Sequence, residues 1–126
     1  MANSDLAAIE AVLHTYFDGL HEGDTEKLAA SFHACSHLYS AEDGGLLDQP
    51  RATWFDRVRN RPAPSKAGLA RHDQILFIDQ SGPDTAIAKV ACAIPPRFFT
   101  DYLSLLKTAE GWKIVSKIFR TEMREG

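Results

Sequence analysis

The stretch Phe98-Phe99-Thr100-Asp101-Tyr102-Leu103-Ser104-Leu105-Leu106-Lys107, then Thr108-Ala109-Glu110-Gly111, then Trp112-Lys113-Ile114-Val115-Ser116-Lys117-Ile118-Phe119-Arg120, decides the fold. Two runs rich in aromatic and β-branched residues flank a short break with one glycine, the pattern of a β-hairpin. A loop Ala109-Glu110-Gly111 with Gly111 left-handed sets Thr108 opposite Trp112 and Asp101 opposite Phe119. Lys117 then lies diagonal to Asp101, within reach of a long side chain. Alternation puts Phe99, Asp101, Leu103, Leu105, Lys107, Lys113, Val115, Lys117 and Phe119 on one face. The other carries Phe98, Thr100, Tyr102, Ser104, Leu106, Trp112, Ile114, Ser116, Ile118 and Arg120. Neither face is polar throughout, so both are expected to be covered: one by helices, the other by a second subunit, giving a homodimer through the sheet.

Upstream of the hairpin, strands are expected at about 71–80 and 85–94, joined by Ser81-Gly82-Pro83-Asp84 and closed by Pro95-Pro96. The first half reads as helices. Ser4 can cap a helix whose stripe is Ile9, Leu13, Tyr16 and Leu20, widened by Leu6, Val12 and Phe17. Gly23 ends it and Asp24 caps a second helix, Thr25 to Phe32. An extended segment follows from His33 to Ala41, then a turn at Asp43-Gly44-Gly45 and a short strand at Leu46-Leu47. Pro50 suits the first position of a third helix, with Trp54, Phe55 and Val58 inward. Arg61 to Gly68 is a loop, and Met123 to Gly126 is expected to fray. Helices first and strands later give an α+β class: a curved antiparallel sheet, cone-shaped, with three helices over its concave face. Concave interiors are where small molecules bind.

Composition bounds the function. The chain has 126 residues, 44% apolar and 25% charged, which suits one domain over residues 1–126 with a real core. A net charge of −3 leaves no basic footprint for nucleic acid and no attraction to an anionic membrane. No apolar run approaches the roughly 20 residues of a membrane span. The start Met1-Ala2-Asn3-Ser4-Asp5 lacks signal-peptide character, so a cytoplasmic location is expected, with Cys35 and Cys92 as thiols. The histidines (His14, His21, His33, His37, His72) have no recognised metal spacing; neither metal nor cofactor is expected.

Tyr16-Phe17-Asp18-Gly19-Leu20-His21-Glu22-Gly23-Asp24, Phe32-His33, Asp101 to Lys107, Gly111 to Val115 and Lys117-Ile118-Phe119 together resemble the nuclear-transport-factor-2-like superfamily, of cystatin-like fold. Within it the chain is most similar to the bacterial group labelled putative lumazine-binding. The resemblance covers about residues 6–122. It implies the α+β cone, usually dimeric through the sheet, and includes SnoaL-like cyclases, steroid isomerases, dehydratases, hydrolases and noncatalytic binding proteins, among which a shared fold does not choose. In the isomerases, the residue matching Tyr16 donates a hydrogen bond to a developing oxyanion. Their carboxylate base falls at Ser40 here, which cannot serve unaided.

Each candidate has a plainer reading beside the functional one. Tyr16 is an oxyanion donor or a core phenol with its hydroxyl paired. Asp101 interrupts an apolar strand. It is a pocket acid, or half of a structural pair with Lys117, with Lys89 alongside. His33 is a base at the pocket mouth or a ring bonded to backbone at a helix end. Trp54 stacks on a planar ligand or fills core. Arg57, Arg59 and Arg61, with Arg51, form a solvated face or an anion-binding lip. The leading expectation is a protein that binds a small planar or apolar ligand through Tyr16, Trp54, Asp101, Phe119 and Lys117. The alternative is an isomerase, cyclase or dehydratase using Tyr16, His33 and Asp101, and the further alternative is a protein-interaction module.

Overall fold

The computed structural model describes residues 3–125, with side chains from Asp5 onward. Helix α1 (Asn3–Glu22) buries Ile9, Leu13, Tyr16, Phe17 and Leu20. Ser4 lies inside α1, and its side chain, expected as a cap, is outside the described side chains. Gly23 (φ +66°) turns the chain. Asp24 caps α2 (Thr25–Ser31) by accepting from the backbone N–H groups of Glu26 and Lys27. Phe32, expected as the end of that helix, instead opens strand β1 (Phe32–Glu42). After the Asp43-Gly44 turn come β2 (Gly45–Pro50) and α3 (Arg51–Arg59). Pro50 is the residue before the helix, one place earlier than expected.

A long connection leads to β3 (Gln74–Ser81), β4 (Thr85–Ile94), β5 (Arg97–Thr108) and β6 (Gly111–Met123). The six strands form one open, curved sheet in the order β2-β1-β6-β5-β4-β3, with the helices on its concave face. One pairing departs from the antiparallel expectation: β1 runs parallel to β6. Neighbouring strands joined by tight turns must be antiparallel, whereas β1 and β6 are joined through most of the domain and are free of that constraint. The expected frayed tail is tied down: Met123 pairs with Arg97, and the Arg124 N–H donates to the Pro96 carbonyl at 2.9 Å. Gly126 lies outside the described residues.

The β5–β6 hairpin carries a correction that matters for the site. Its loop is one residue shorter than expected, with Thr108 opposite Gly111 and Lys107 opposite Trp112. A bulge then leaves Val115 unpaired and shifts the register by one, so Asp101 still faces Phe119 and Leu103 faces Lys117. Trp112 and Ile114 therefore lie on the helix-covered face with Leu105, not on the outer face. The bulge lets β6 send apolar residues inward at both ends while bringing Lys117 to the inner face beside Asp101. Further register shifts in β1–β6 and β3–β4 add to the bending that makes the sheet concave.

Candidate functional site

Five elements converge on one buried polar cluster. Tyr16 projects from α1, Trp54 from α3, Cys92 from β4, Asp101 from β5 and Lys117 from β6. The Tyr16 hydroxyl donates to Asp101 Oδ2 at 2.5 Å. Lys117 Nζ donates to the Tyr16 oxygen at 2.7 Å and stands 3.8 Å from Asp101 Oδ2. The Cys92 thiol donates to the same carboxylate oxygen at 3.5 Å. Tyr16 and Asp101 are fully buried and Lys117 is 5% exposed. Burying these charges is tolerable because they are paired and hydrogen-bonded. Asp101 Oδ1 finds no partner among the described residues.

Burial, then the Asp101 charge beside it, pushes the Tyr16 hydroxyl well above a phenol's usual range. Tyr16 is thus a neutral bridge, accepting from the lysine and donating to the aspartate. Burial likewise raises the Cys92 thiol, with Asp101 adding to the effect, so Cys92 is a protonated donor and not a nucleophile.

The ammonium of Lys117 sits in an aromatic cage. Its Nζ is 4.9 Å from the ring centre of Trp54, 5.1 Å from Tyr16, 5.1 Å from Phe119 and 6.0 Å from Phe99. Such contacts are worth about 2 kcal/mol when desolvated. Lysine has three N–H donors, and one is committed to Tyr16. Lys117 also lines a cavity of about 600 Å³, walled by Leu20, Leu38, Trp54, Phe99 and Phe119 and rimmed by Glu42, Arg57, Arg61 and Arg97. The cavity lies in the size range of sites for drug-sized molecules. Its buried polar lining is Lys117 and Gln49; Tyr16 and Asp101 are one layer behind, oriented toward Lys117 and not lining the space.

Of the residues singled out in the sequence, Trp54, Arg57, Arg61, Lys117 and Phe119 line the cavity, and Tyr16 and Asp101 support the lysine from below. His33 does not join them. It is the second residue of β1, and its Nδ1 accepts from the Cys35 N–H at 3.1 Å. Ser40 is buried and donates to Glu42 at 3.5 Å, which brings a carboxylate to the rim from the end of β1. Lys89 lies on the opposite face of the sheet over the Tyr102 ring, so it is not part of the Asp101 pair. Cys92 and Arg97 were not foreseen. The alternation Ala86, Ala88, Val90, Cys92 along β4 carries a signal for the first; nothing local marks the second. Among the described residues no group of three or more His, Cys, Asp or Glu could hold a metal ion, and no helix is long and apolar enough to cross a membrane.

Residues 4–120 match the sequence profile of the family described as Putative lumazine-binding. The chain belongs to that family. With it comes membership of the nuclear-transport-factor-2-like superfamily, in agreement with solved structures. The chain superposes on a nuclear-transport-factor-2-like protein of unknown function from Shewanella baltica OS155 with a TM-score of 0.87 and 28% identity, covering 98% of each chain. A cystatin-like fold protein from Burkholderia xenovorans LB400 gives 0.72 at 18% identity, covering 98% of this chain and 95% of the other, and shows the fold alone. Among curated proteins, Aldolase FrzH of Cladobotryum sp is 26% identical over 126 residues, spanning 98% of this chain and 97% of the relative. This Putative lumazine-binding family member thus combines the superfamily's cone with a lysine-floored cavity built on its own Tyr16, Asp101 and Lys117.

Proposed function

We propose that the protein binds a small, planar, largely apolar ligand in the cavity above Lys117. The observation that carries this reading is the lysine itself: a cation held in an aromatic cage, fixed from below by Tyr16 and Asp101, with donors left for a ligand oxygen. The rings of Trp54, Phe99 and Phe119 suit a flat apolar body, and the family's description names lumazine as a flat ligand to try. The protein acts in the cytoplasm as a homodimer joined through the outer sheet face, where Phe77, Ile87, Tyr102, Leu106 and Ile118 stand exposed. Trp112→Phe leaves Trp54 as the sole tryptophan reporter. Titration of that variant with lumazine and with 2-acetonaphthone then gives saturable quenching of Trp54 emission with at least one of them. A flat response to both, with the fold intact by circular dichroism, would sink the proposal.

A second reading, an enzyme acting on a carbonyl compound, is favoured by the Tyr16–Asp101–Lys117 chain and by the 26% likeness to an aldolase. In it Glu42, the carboxylate at the rim, takes the α-proton while Lys117 donates to the carbonyl oxygen as negative charge develops there, and Tyr16 and Asp101 hold the lysine in place. This class includes those isomerase, cyclase and dehydratase steps that develop enolate-like charge on a carbonyl oxygen. The protein then speeds exchange of the acetyl protons of 2-acetonaphthone in deuterated buffer, followed by proton NMR, and Lys117→Met abolishes the effect. Exchange at the buffer rate with the unaltered protein rules this reading out.

A further inference from the structure

The sequence places four arginines between residues 51 and 61, and the structure sorts them. Arg51 Nη1 donates to the Phe32 carbonyl at 2.7 Å, and its guanidinium lies over the Phe55 ring. Arg59 pairs with Asp56 at 3.1 Å. These two are occupied. Arg57 and Arg61 have no side-chain hydrogen bond or ion pair among the described residues, and neither has Arg97, which arrives from the start of β5. All three line the mouth of the cavity above Lys117. With Lys117 already matched by Asp101, they set three cations against one carboxylate, Glu42, in a chain whose net charge is −3.

Gathering like charges at a partly desolvated rim is unfavourable in the empty protein. The Arg61 guanidinium registers this: burial first, then the charges of Arg97 and Arg57, hold it below its ordinary range. Arg57, in the last turn of α3, complements the helix dipole and has a structural reason to be there. Arg61 and Arg97 lie outside the helix and gain nothing from its dipole. Guanidinium groups are suited to planar oxyanions, which they grip by paired N–H donors.

We propose that the ligand is a planar organic anion whose carboxylate or phosphate group is held at the cavity mouth by Arg57, Arg61 and Arg97 while its flat body lies against Trp54, Phe99 and Phe119. This rests on the cavity being a ligand site, as argued above, and adds the ligand's charge. The test is calorimetric titration of the full chain with 2-naphthoate, 2-naphthyl phosphate and the neutral methyl 2-naphthoate, at about 50 and about 500 mM salt. At least one anion binds about tenfold or more tighter than the ester, and high salt narrows the gap. In R57Q/R61Q/R97Q the anion's affinity drops toward the ester's and the preference falls to within about twofold. Should the triple variant fail to fold, R57Q/R97Q, at two exposed positions, still lowers the preference. Whichever anion binds tighter identifies the head group. An ester that binds as well as both anions, or an anion preference that survives the substitutions, overturns the charge assignment and leaves the pocket reading standing. No binding by any of the three overturns both.

Discussion

Replacing Lys117 by methionine probes how the buried cluster is held together. Methionine keeps most of the lysine stem's volume, so the change removes the charge and its hydrogen bond with little loss of packing. Asp101 is left fully buried with no cation near it, one oxygen already without a partner and the other accepting from Tyr16 and Cys92. Removing one member of a buried pair costs about 3–5 kcal/mol, because the remaining charge is uncompensated. In a domain of this size each kcal/mol lowers the midpoint by roughly 4 °C, so K117M should melt about 12–20 °C below the parent. Adding D101N removes the stranded charge while its amide carbonyl still accepts from Tyr16. The double variant should recover roughly 2 kcal/mol or more over the sum of the single losses. Thermal and urea unfolding followed by circular dichroism measure all four members of the cycle. A K117M loss below about 1 kcal/mol, or a double variant equal to the sum, would refute the claim that Lys117 and Asp101 act as a coupled pair.

Other expectations follow from the same geometry. Tyr16→Phe leaves the ring packing intact but strips the bridge between Lys117 and Asp101, and should cost about 1–3 kcal/mol in urea unfolding. The alkaline limb of stability should steepen because of Tyr16 and Cys92. Both hold their protons more tightly folded than unfolded, so the contribution is complete below about pH 8 for Cys92 and below about pH 9 for Tyr16, and drains away as pH rises toward the folded values. The unfolded chain releases each proton first, giving a slope of up to about 1.4 kcal/mol per pH unit per group, and Tyr16→Phe should flatten that limb between about pH 10 and 11. The proposed dimer should be seen in sedimentation of the parent chain, and Ile118→Asp, which puts a charge on the exposed outer face, should sediment as a monomer without altering the circular dichroism; a monomeric parent refutes the dimer, and a variant that stays dimeric places the interface elsewhere.

Much of the fold was legible because the signals were local. The stripe Ile9, Leu13, Tyr16, Leu20 follows the helical period, and Gly23-Asp24 marks one helix end and the next start. The hairpin was legible too, but not its register beside the turn: between the loop and Val115 every pair is one residue off, and only beyond the bulge does the pairing follow the simple alternation. A bulge has no dependable local signature, and this one sent Trp112 and Ile114 inward against the simple alternation. The Asp101–Phe119 pairing came out as expected only because the shorter loop and the bulge cancel. Within the site, Asp101 was conspicuous as an acid in an apolar strand, and Lys117 followed from the diagonal. That Tyr16 bridges the two, and that the lysine and not the tyrosine meets the cavity, depends on how α1 seats across the sheet. His33 was drawn toward the pocket by its place after α2; in the fold β1 begins at Phe32, and the ring turns to the backbone of Cys35. Arg97 meets Arg57 and Arg61 only through the folded sheet, so no stretch of sequence announces the trio.

The central claim is that Lys117 is the charged floor of a working cavity. It is tested most directly by a crystal structure of the protein soaked with 2-acetonaphthone. The account predicts flat density against Trp54 and Phe119, with the ketone oxygen within about 2.7–3.2 Å of Lys117 Nζ. Density lying instead on the outer face beside Tyr102 and Ile118, or a cavity closed by its own side chains, would contradict it.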